Sequence, residues 1–311
     1  MKIVVVGSSN IDMVALVDHL PAPGETVGNA KFIQANGGKG ANQAVAAARL
    51  GGDVTFVTSL GNDHFAKALI EQFKNENIVT KYIIIDPVLS TGTALIFVSS
   101  NAENCIAVAP GANASLLPSR ISFLESVIST ANIVVMQAEI PYETIRQVAF
   151  LAKRNGVKVL LNPAPACAID SDLMQVIDIL VVNEIEAEYI SGKSIENDTI
   201  ETVALHLLNQ GVKNVVITLG KQGVYLKTQD DFYEVPAFKV TAVDTTAAGD
   251  TFCGALAVAC AKGKLNVEAL QFASAAAAIS VTRMGAQPSI PKLEEVVEFI
   301  KINNKNKLLC L

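Results

Sequence analysis

The chain has 311 residues, 50% of them apolar, and a formal net charge of −6. That composition supports a sizeable core and excludes a disordered chain. The acidic balance excludes a protein whose main partner is nucleic acid, because phosphate backbones are bound chiefly by Lys and Arg.

The predicted elements fall in chain order as follows. Residues 2–6 are a β-branched run closed by Gly7-Ser8-Ser9-Asn10, which predicts a buried first strand. Residues 11–36 alternate irregularly around the turn signal Pro21-Ala22-Pro23-Gly24 and predict short antiparallel strands. After Gly37-Gly38-Lys39-Gly40-Ala41-Asn42 comes an Ala-rich helix over 43–50, a strand over 54–58 and a helix over 63–75. Short strands are predicted at 83–85, 93–99 and 104–108, and a helix over 118–130. From residue 133 the rhythm becomes regular. Strands near 133–136, 157–161, 178–182 and 213–218 alternate with helices near 141–154, 184–191 and 198–210, which predicts βαβ units and a parallel sheet covered on both faces. Residues 223–235 predict two further strands. A strand-like run over 238–243 precedes helices over 249–262, 266–282 and 291–302, and a Lys/Asn tail expected to fray. The two β-rich segments, about 11–36 and 89–108, interrupt the α/β rhythm. One small projecting sheet would collect both, over the sheet edge where ligands bind.

Several chemistries lack their residues. Cys105, Cys167, Cys253, Cys260 and Cys310 are odd in number and form no CxxC pair, which reads as a reduced, cytoplasmic chain. His19, His64 and His206 are scattered and give no zinc pattern. The first apolar run is too short for a signal peptide, and no stretch is long enough to span a bilayer, so no membrane partner is expected. Gly192-Lys193-Ser194 ends like a phosphate-binding P-loop, but the Gly required five positions earlier is Ala187. The Gly37–Gly40 cluster lacks the GxGxxG spacing of a dinucleotide fold, which argues against a dehydrogenase.

The strongest signal is Asp244-Thr245-Thr246-Ala247-Ala248-Gly249-Asp250-Thr251-Phe252. Small residues at a helix start let backbone N–H groups approach an anion, and the helix dipole adds to the attraction. Asp250 beside such an anion hole stands where a base that deprotonates an alcohol must be. Taken alone it could equally be a first-turn carboxylate that stabilises its helix. Asn10 and Asp12 could cap the turn after the first strand, and Lys39 could be solvated.

Residues 244–252 and the run Gly37 to Ala46 resemble the two signatures of the PfkB, or ribokinase, family of carbohydrate kinases, in the right order and some two hundred residues apart. The resemblance extends from Gly7 to Ser289. It implies a three-layer α/β/α domain spanning 1–311 with a β lid, and ATP-dependent phosphorylation of D-ribose at its 5-hydroxyl. Asp250 would be the base, with Ala247, Ala248 and Gly249 offering N–H groups to developing charge. Asn10, Asp12, Gly38, Lys39, Asn42 and Glu139 match sugar-contacting positions, and Ala94 and Ile106 match apolar positions on the lid.

Asn183 and Glu186 resemble the family's Asn-x-x-Glu motif for Mg²⁺ and phosphates; the plainer reading is an N-capped helix. Val182 stands where relatives usually carry Pro. Thr218, Gly220, Lys221 and Gly223 match a nucleotide loop, and Ser274 stands where some relatives carry His. Asp244, Thr246, Ser280, Arg283, Gly285 and Ser289 match a K⁺ site. The resemblance further implies a homodimer through the lid. The alternatives are the same chemistry on 2-deoxyribose, fructose or a nucleoside, and a non-catalytic sugar-binding regulator.

Overall fold

The side chains of the first strand divide between two cores, and that division sets the architecture. The computed structural model describes residues 1–101, 103–263 and 265–308, with side chains as far as 303. Cys310 lies outside the described residues. Strand β1 (Lys2–Val6) sends Ile3 and Val5 into one apolar cluster and Val4 and Val6 into another. Successive strand residues face opposite ways, so an all-apolar strand must be covered on both faces.

β1 runs through Gly7-Ser8-Ser9 into β2 (Asn10–Val17), which pairs antiparallel with β3 (Lys31–Gly37). Helix α1 (Lys39–Arg49) begins at Lys39 rather than at the expected residue 43. Gly38 makes this possible: it sits at φ 88°, and a Cβ there would lie 2.7 Å from the Asn10 nitrogen. β4 (Asp53–Val57), β5 (Ser59–Gly61), α2 (His64–Asn75) and β6 (Ile84–Asp86) follow. β6 pairs with β5 rather than joining the lid. β7 (Gly92–Ser99) and β8 (Asn104–Ala109) complete a four-stranded sheet in the order β3-β2-β7-β8, so the two β-rich segments do share one small sheet.

The helix expected over 118–130 is broken. Only α3 (Leu124–Ile128) is α-helical, and residues 118–120 form a single 3₁₀ turn. The Arg120 guanidinium pins that turn against β6, at 2.5 Å from the Asp86 carboxylate and 2.7 Å from Ser115 Oγ.

The regular half follows as expected: β9 (Ile133–Gln137), α4 (Tyr142–Arg154), β10 (Lys158–Asn162), an unforeseen short α5 (Ser171–Met174), β11 (Ile179–Asn183), α6 (Glu184–Ser191), α7 (Ile200–Asn209), β12 (Val215–Thr218), β13 (Gly223–Lys227) and β14 (Phe232–Pro236). Residues 238–243 are not a strand. They are largely exposed, and the Val243 N–H instead donates to Val281 O at 2.7 Å. α8 (Ala248–Ala261), α9 (Val267–Ser280) and α10 (Leu293–Leu308) close the chain; α10 continues as helix through the segment expected to fray.

The main sheet has the order β14-β13-β12-β11-β10-β9-β1-β4 and is parallel except at β13 and β14. Helices α1, α2, α8, α9 and α10 cover one face, and α3 to α7 the other. The chain order reverses at β1, between β4 and β9. Ligands in such sheets bind beyond the strand C-termini at this reversal.

α8 is apolar all round and buried along nearly its whole length, as a helix at the centre of a layer must be. It touches α1 through Gly254, where a Cβ would lie 2.6 Å from the Ala46 Cβ and 2.8 Å from Gln43 O. Gly254→Ala therefore forces the two helices apart. The expected loss is about 1–3 kcal/mol of unfolding free energy, measured by urea denaturation.

Candidate active site

The reversal at β1 brings the sugar-side residues together. Ser8 follows β1 and Glu139 follows β9, and Ser8 Oγ donates to Glu139 Oε2 at 2.5 Å. The same carboxylate oxygen accepts the Lys39 N–H at 2.9 Å, which ties the start of α1 to this point. Asn10 is buried, and its Oδ1 accepts from Asn113 Nδ2 at 2.7 Å. Asn113 is itself fixed by the Ser9 backbone, so the Asn10 amide is left with its N–H₂ as the free end. Asp12 lies beside Gly37, where a Cβ would be 2.2 Å from Asp12 Oδ2. Burial, then the Glu139 and Asp250 carboxylates, push the Asp12 carboxyl up to about 6.

Asp250 is buried in the first turn of α8, 6% exposed, and both its oxygens accept amide N–H groups. Asn42 Nδ2 reaches Oδ2 at 2.9 Å and Gln43 Nε2 reaches Oδ1 at 3.0 Å. Asn42 Oδ1 is buried and has no hydrogen-bond partner among the described residues. A buried acceptor without a donor is costly, so this atom is available to a donor from outside the described residues.

Ala247, the N-cap of α8, holds a left-handed conformation at φ 59°. For a non-glycine residue this stores about 1–3 kcal/mol of strain, the kind kept at functional turns. The Ala248 N–H donates to Thr245 O at 3.2 Å, so it is not free for an anion as expected. A Cβ built at Gly249 meets nothing within 4 Å, so the space over the helix start is open.

A cavity of about 220 Å³ joins this helix start to Lys39, Asn183, Glu186 and Thr218. Asn183 and Glu186 form a reciprocal capping box at the start of α6, with bonds of 2.8 and 2.9 Å. The plainer reading of this pair is therefore realised, while both residues also line the cavity. Burial, followed by the Asp250 carboxylate, raises the Glu186 carboxyl despite the Asn183 N–H and Lys39. Burial would lower the Lys39 ammonium, but Asp250, Glu139 and Glu186 outweigh it and hold it raised. Burial, then Asp250 and Glu186, push the Cys253 thiol well above its usual value, which excludes it as a nucleophile.

Other expected residues lie apart from this cavity. Gly220, Lys221 and Gly223 form the tight connection from β12 to β13, and Ser274 is half-buried on α9. On the lid, Ala94 is buried in register with Asp12, whereas Ile106 is 53% exposed. Asp244 Oδ1 accepts the Thr246 N–H at 2.9 Å and its hydroxyl at 2.6 Å, and Oδ2 accepts the Gly285 N–H at 2.8 Å. Although burial opposes it, these three donors lower the Asp244 carboxyl. Ser280 and Ser289 hydroxyls donate to local carbonyls, and the Arg283 side chain turns away to Glu295. Only the Arg283 backbone can serve a cation here. Residues 244–246 and 280–289 are thus joined through the Asp244 carboxylate and through the Asp244 N–H, which donates to Val281 O at 3.2 Å.

The reading from sequence missed Gln43, Gln137, Asn162 and Asn113, all polar and all buried. Gln43 lies inside the quoted glycine-rich run. Gln137 and Asn162 end strands β9 and β10 at the edge where ligands bind, and that position was their available signal.

Residues 1–293 match the family model described as pfkB family carbohydrate kinase. The chain belongs to this family. It is 43% identical over 298 residues to a ribokinase of Staphylococcus aureus, covering 95% of this chain and 98% of that one. A deoxyribokinase of Salmonella typhi is 37% identical over 305 residues, covering 97% and 100%. The structure of an Arabidopsis thaliana ribokinase complexed with ribose and ATP superposes with a TM-score of 0.90 at 34% identity, covering 96% and 98%. As a pfkB-family fold, the chain carries the family's large sheet and small lid sheet on its own backbone.

Asp12 makes the site's charge testable. Its folded value, about 6, exceeds its ordinary 3.8, so the folded protein binds this proton more tightly than the unfolded chain. Stability therefore falls as pH rises from about 4 to 6 and stays reduced above. Asp12→Asn is expected to stabilise the sugar-free protein by about 1–3 kcal/mol at pH 7 and to change it little at pH 3.5, in urea unfolding at both pH values.

Proposed function

We propose that this chain transfers the γ-phosphate of ATP to the 5-hydroxyl of D-ribose, giving D-ribose 5-phosphate and ADP. The observation that carries the reading is the Asp250 carboxylate, held by two amide donors under an open helix start, in one cavity with Lys39 and Glu186. Each Asp250 oxygen keeps a lone pair for the incoming proton. As the sugar oxygen attacks the γ-phosphorus, its proton passes to Asp250 and the bond to the β-phosphate breaks. The N–H groups of Ala247 and Gly249, aligned with the α8 dipole, face the developing negative charge. The Ala248 N–H joins them only on release from Thr245. Positioning and charge neutralisation supply most of the catalysis in such a transfer.

The sugar lies between Asn10, Asp12, Gly38, Lys39, Asn42 and Glu139. Carboxylates accept from its hydroxyls, while the Asn10 amide and Lys39 donate. Ala94 and Ile106 cover it from the lid, whose closure excludes water. The nucleotide extends past Thr218 towards Gly220, Lys221, Gly223 and Ser274.

Asp250, Glu139 and Glu186 surround a single ammonium, so a polyphosphate entering here needs a further cation. Glu186 and Asn183 would hold Mg²⁺, partly through water; their oxygen donors and the room beside them fit it. Mg²⁺ supplies neutralisation of phosphate charge. Asp244, Thr246, Ser280, Arg283, Gly285 and Ser289 would hold K⁺, chiefly through backbone carbonyls, and the hard oxygen donors fit. K⁺ would order the loop that carries Ala247.

A second reading, phosphorylation of 2-deoxyribose, is favoured by the 37% identity to a deoxyribokinase. Asn10 and Asp12 together weigh towards ribose, which offers one more hydroxyl to hold.

The chain acts as one catalytic domain, 1–311, in the cytoplasm, with sugar and ATP as its small-molecule partners and no nucleic acid. It forms a homodimer through the lid. Phe32, Leu95 and Phe97 are 64%, 48% and 38% exposed and, by strand register, share the lid face opposite Asp12. Such a surface is larger than isolated exposed side chains require.

ADP release with Mg-ATP, K⁺ and a sugar panel tests the reaction. Ribose is expected to give the highest kcat/KM, and Asp250→Asn to lower it about 10²–10⁴-fold. No turnover with any sugar would sink the enzyme reading; a preference for deoxyribose would change the substrate. Equal rates in Na⁺-only and K⁺ buffers would remove K⁺. Sedimentation is expected to show a dimer that Leu95→Glu with Phe97→Glu converts to monomer; a wild-type monomer would refute the lid interface.

A further inference from the structure

Beneath Asp250 lies a run of buried side-chain amides that the proposed chemistry does not itself use. Asn162 Nδ2 donates to the backbone carbonyl of Val181 at 2.9 Å. A carbonyl can only accept, so this bond settles which end of the Asn162 amide is oxygen. Asn162 Oδ1 then accepts from Gln43 Nε2 at 3.0 Å. The second proton of that nitrogen goes to Asp250 Oδ1, also at 3.0 Å. Gln43 Oε1 accepts from Gln137 Nε2 at 2.7 Å. Gln43, Gln137 and Asn162 are 0%, 0% and 7% exposed, so water does not compete for these bonds. The polarity of the whole run is fixed by one carbonyl of β11, and it ends on the carboxylate.

We propose that Gln43 is a positioning residue for the Asp250 base: it fixes the rotation of the carboxylate. The reason is geometric. A carboxylate at the start of a helix can turn about its terminal torsion, which is broad and soft. Donors on both oxygens, the amides of Asn42 and Gln43, restrain that rotation. Misplacing a reacting group by about 1 Å can cost 10²-fold in rate, so this orientation carries catalytic weight. Gln43 does not line the cavity that Asp250 faces, and acts through Asp250.

The inference rests on Asp250 being the base of the proposed reaction. Its test compares the full-length wild type with Gln43→Met, similar in length but without the amide, and Gln43→Glu, similar in shape but with an acceptor oxygen in place of the N–H₂ that Asp250 accepts from. Both are expected to lower kcat about 10–100-fold with the accepted sugar, while KM for sugar and ATP stays within about twofold. A purely space-filling role predicts instead an unchanged kcat per folded molecule, with only a lowered Tm. Crystal structures of wild type and Gln43→Met give a second readout that needs no turnover. The carboxylate plane of Asp250 is expected to rotate away from its wild-type orientation in the variant. An unmoved carboxylate together with unchanged kcat would overturn the proposal, even if Tm falls. If the wild type turned over no sugar, the kinase reading would fail, while the orientation of Asp250 in the two crystals would still decide whether Gln43 positions it.

Discussion

A carboxylate held out of water is the constraint on which the rest of this structure depends. Asp250 is buried, so hydrogen-bond donors of the protein must replace its solvent. Those donors come from α1, while Asp250 belongs to α8, more than two hundred residues later in the chain. The two helices must therefore approach closely enough for short amide side chains to bridge them. Gly254 and the alanines of α1 provide that approach, since larger side chains at the contact would hold the backbones apart.

The sheet topology supplies the other half of the arrangement. By reversing order at β1, the chain sets the ends of β1, β9, β10 and β11 side by side. Ser8, Glu139, Asn162 and Asn183 all stand at or just beyond these ends, so one edge of the sheet carries the residues of the proposed sugar side, base and phosphate side in turn. Negative charge accumulates there: Asp12, Glu139, Glu186 and Asp250 share a neighbourhood with one lysine. The raised Asp12 carboxyl and raised Lys39 ammonium are two expressions of that crowding. Cations and hydrogen-bond donors are the chemical partners that would relieve it.

Much of this was legible in the sequence because it is carried by local pattern. The β-branched strands of the regular half, the spacing of the lid segments and the small residues before Asp250 each act over a few residues, and their elements stand where the pattern placed them. What was not legible depends on contacts between distant segments. The broken helix at 118–130 follows from Arg120 meeting Asp86, and the lost strand at 238–243 from its attachment to the end of α9. The buried amides Gln43, Gln137 and Asn162 read as ordinary polar residues until the fold brings them together. Asn183 and Glu186 illustrate a different limit. One pair of side chains caps a helix and lines the cavity at once, so the two readings of that motif were never exclusive.

β1 and β2 are a single run of chain, with Gly7-Ser8-Ser9 as the joint between the large sheet and the small one. Asn10, Asp12 and Ala94 belong to the small sheet; Asn42, Glu139 and Asp250 belong to the large body. The proposed sugar pocket is accordingly split between two sheets, which are joined again where β3 runs through Gly38 into α1. A molecule that engages both sheets bridges them, and one that engages a single sheet does not. Selectivity in such a pocket depends on both sets of contacts at once, because a poorly matched sugar that bonds one sheet leaves the polar groups of the other without partners.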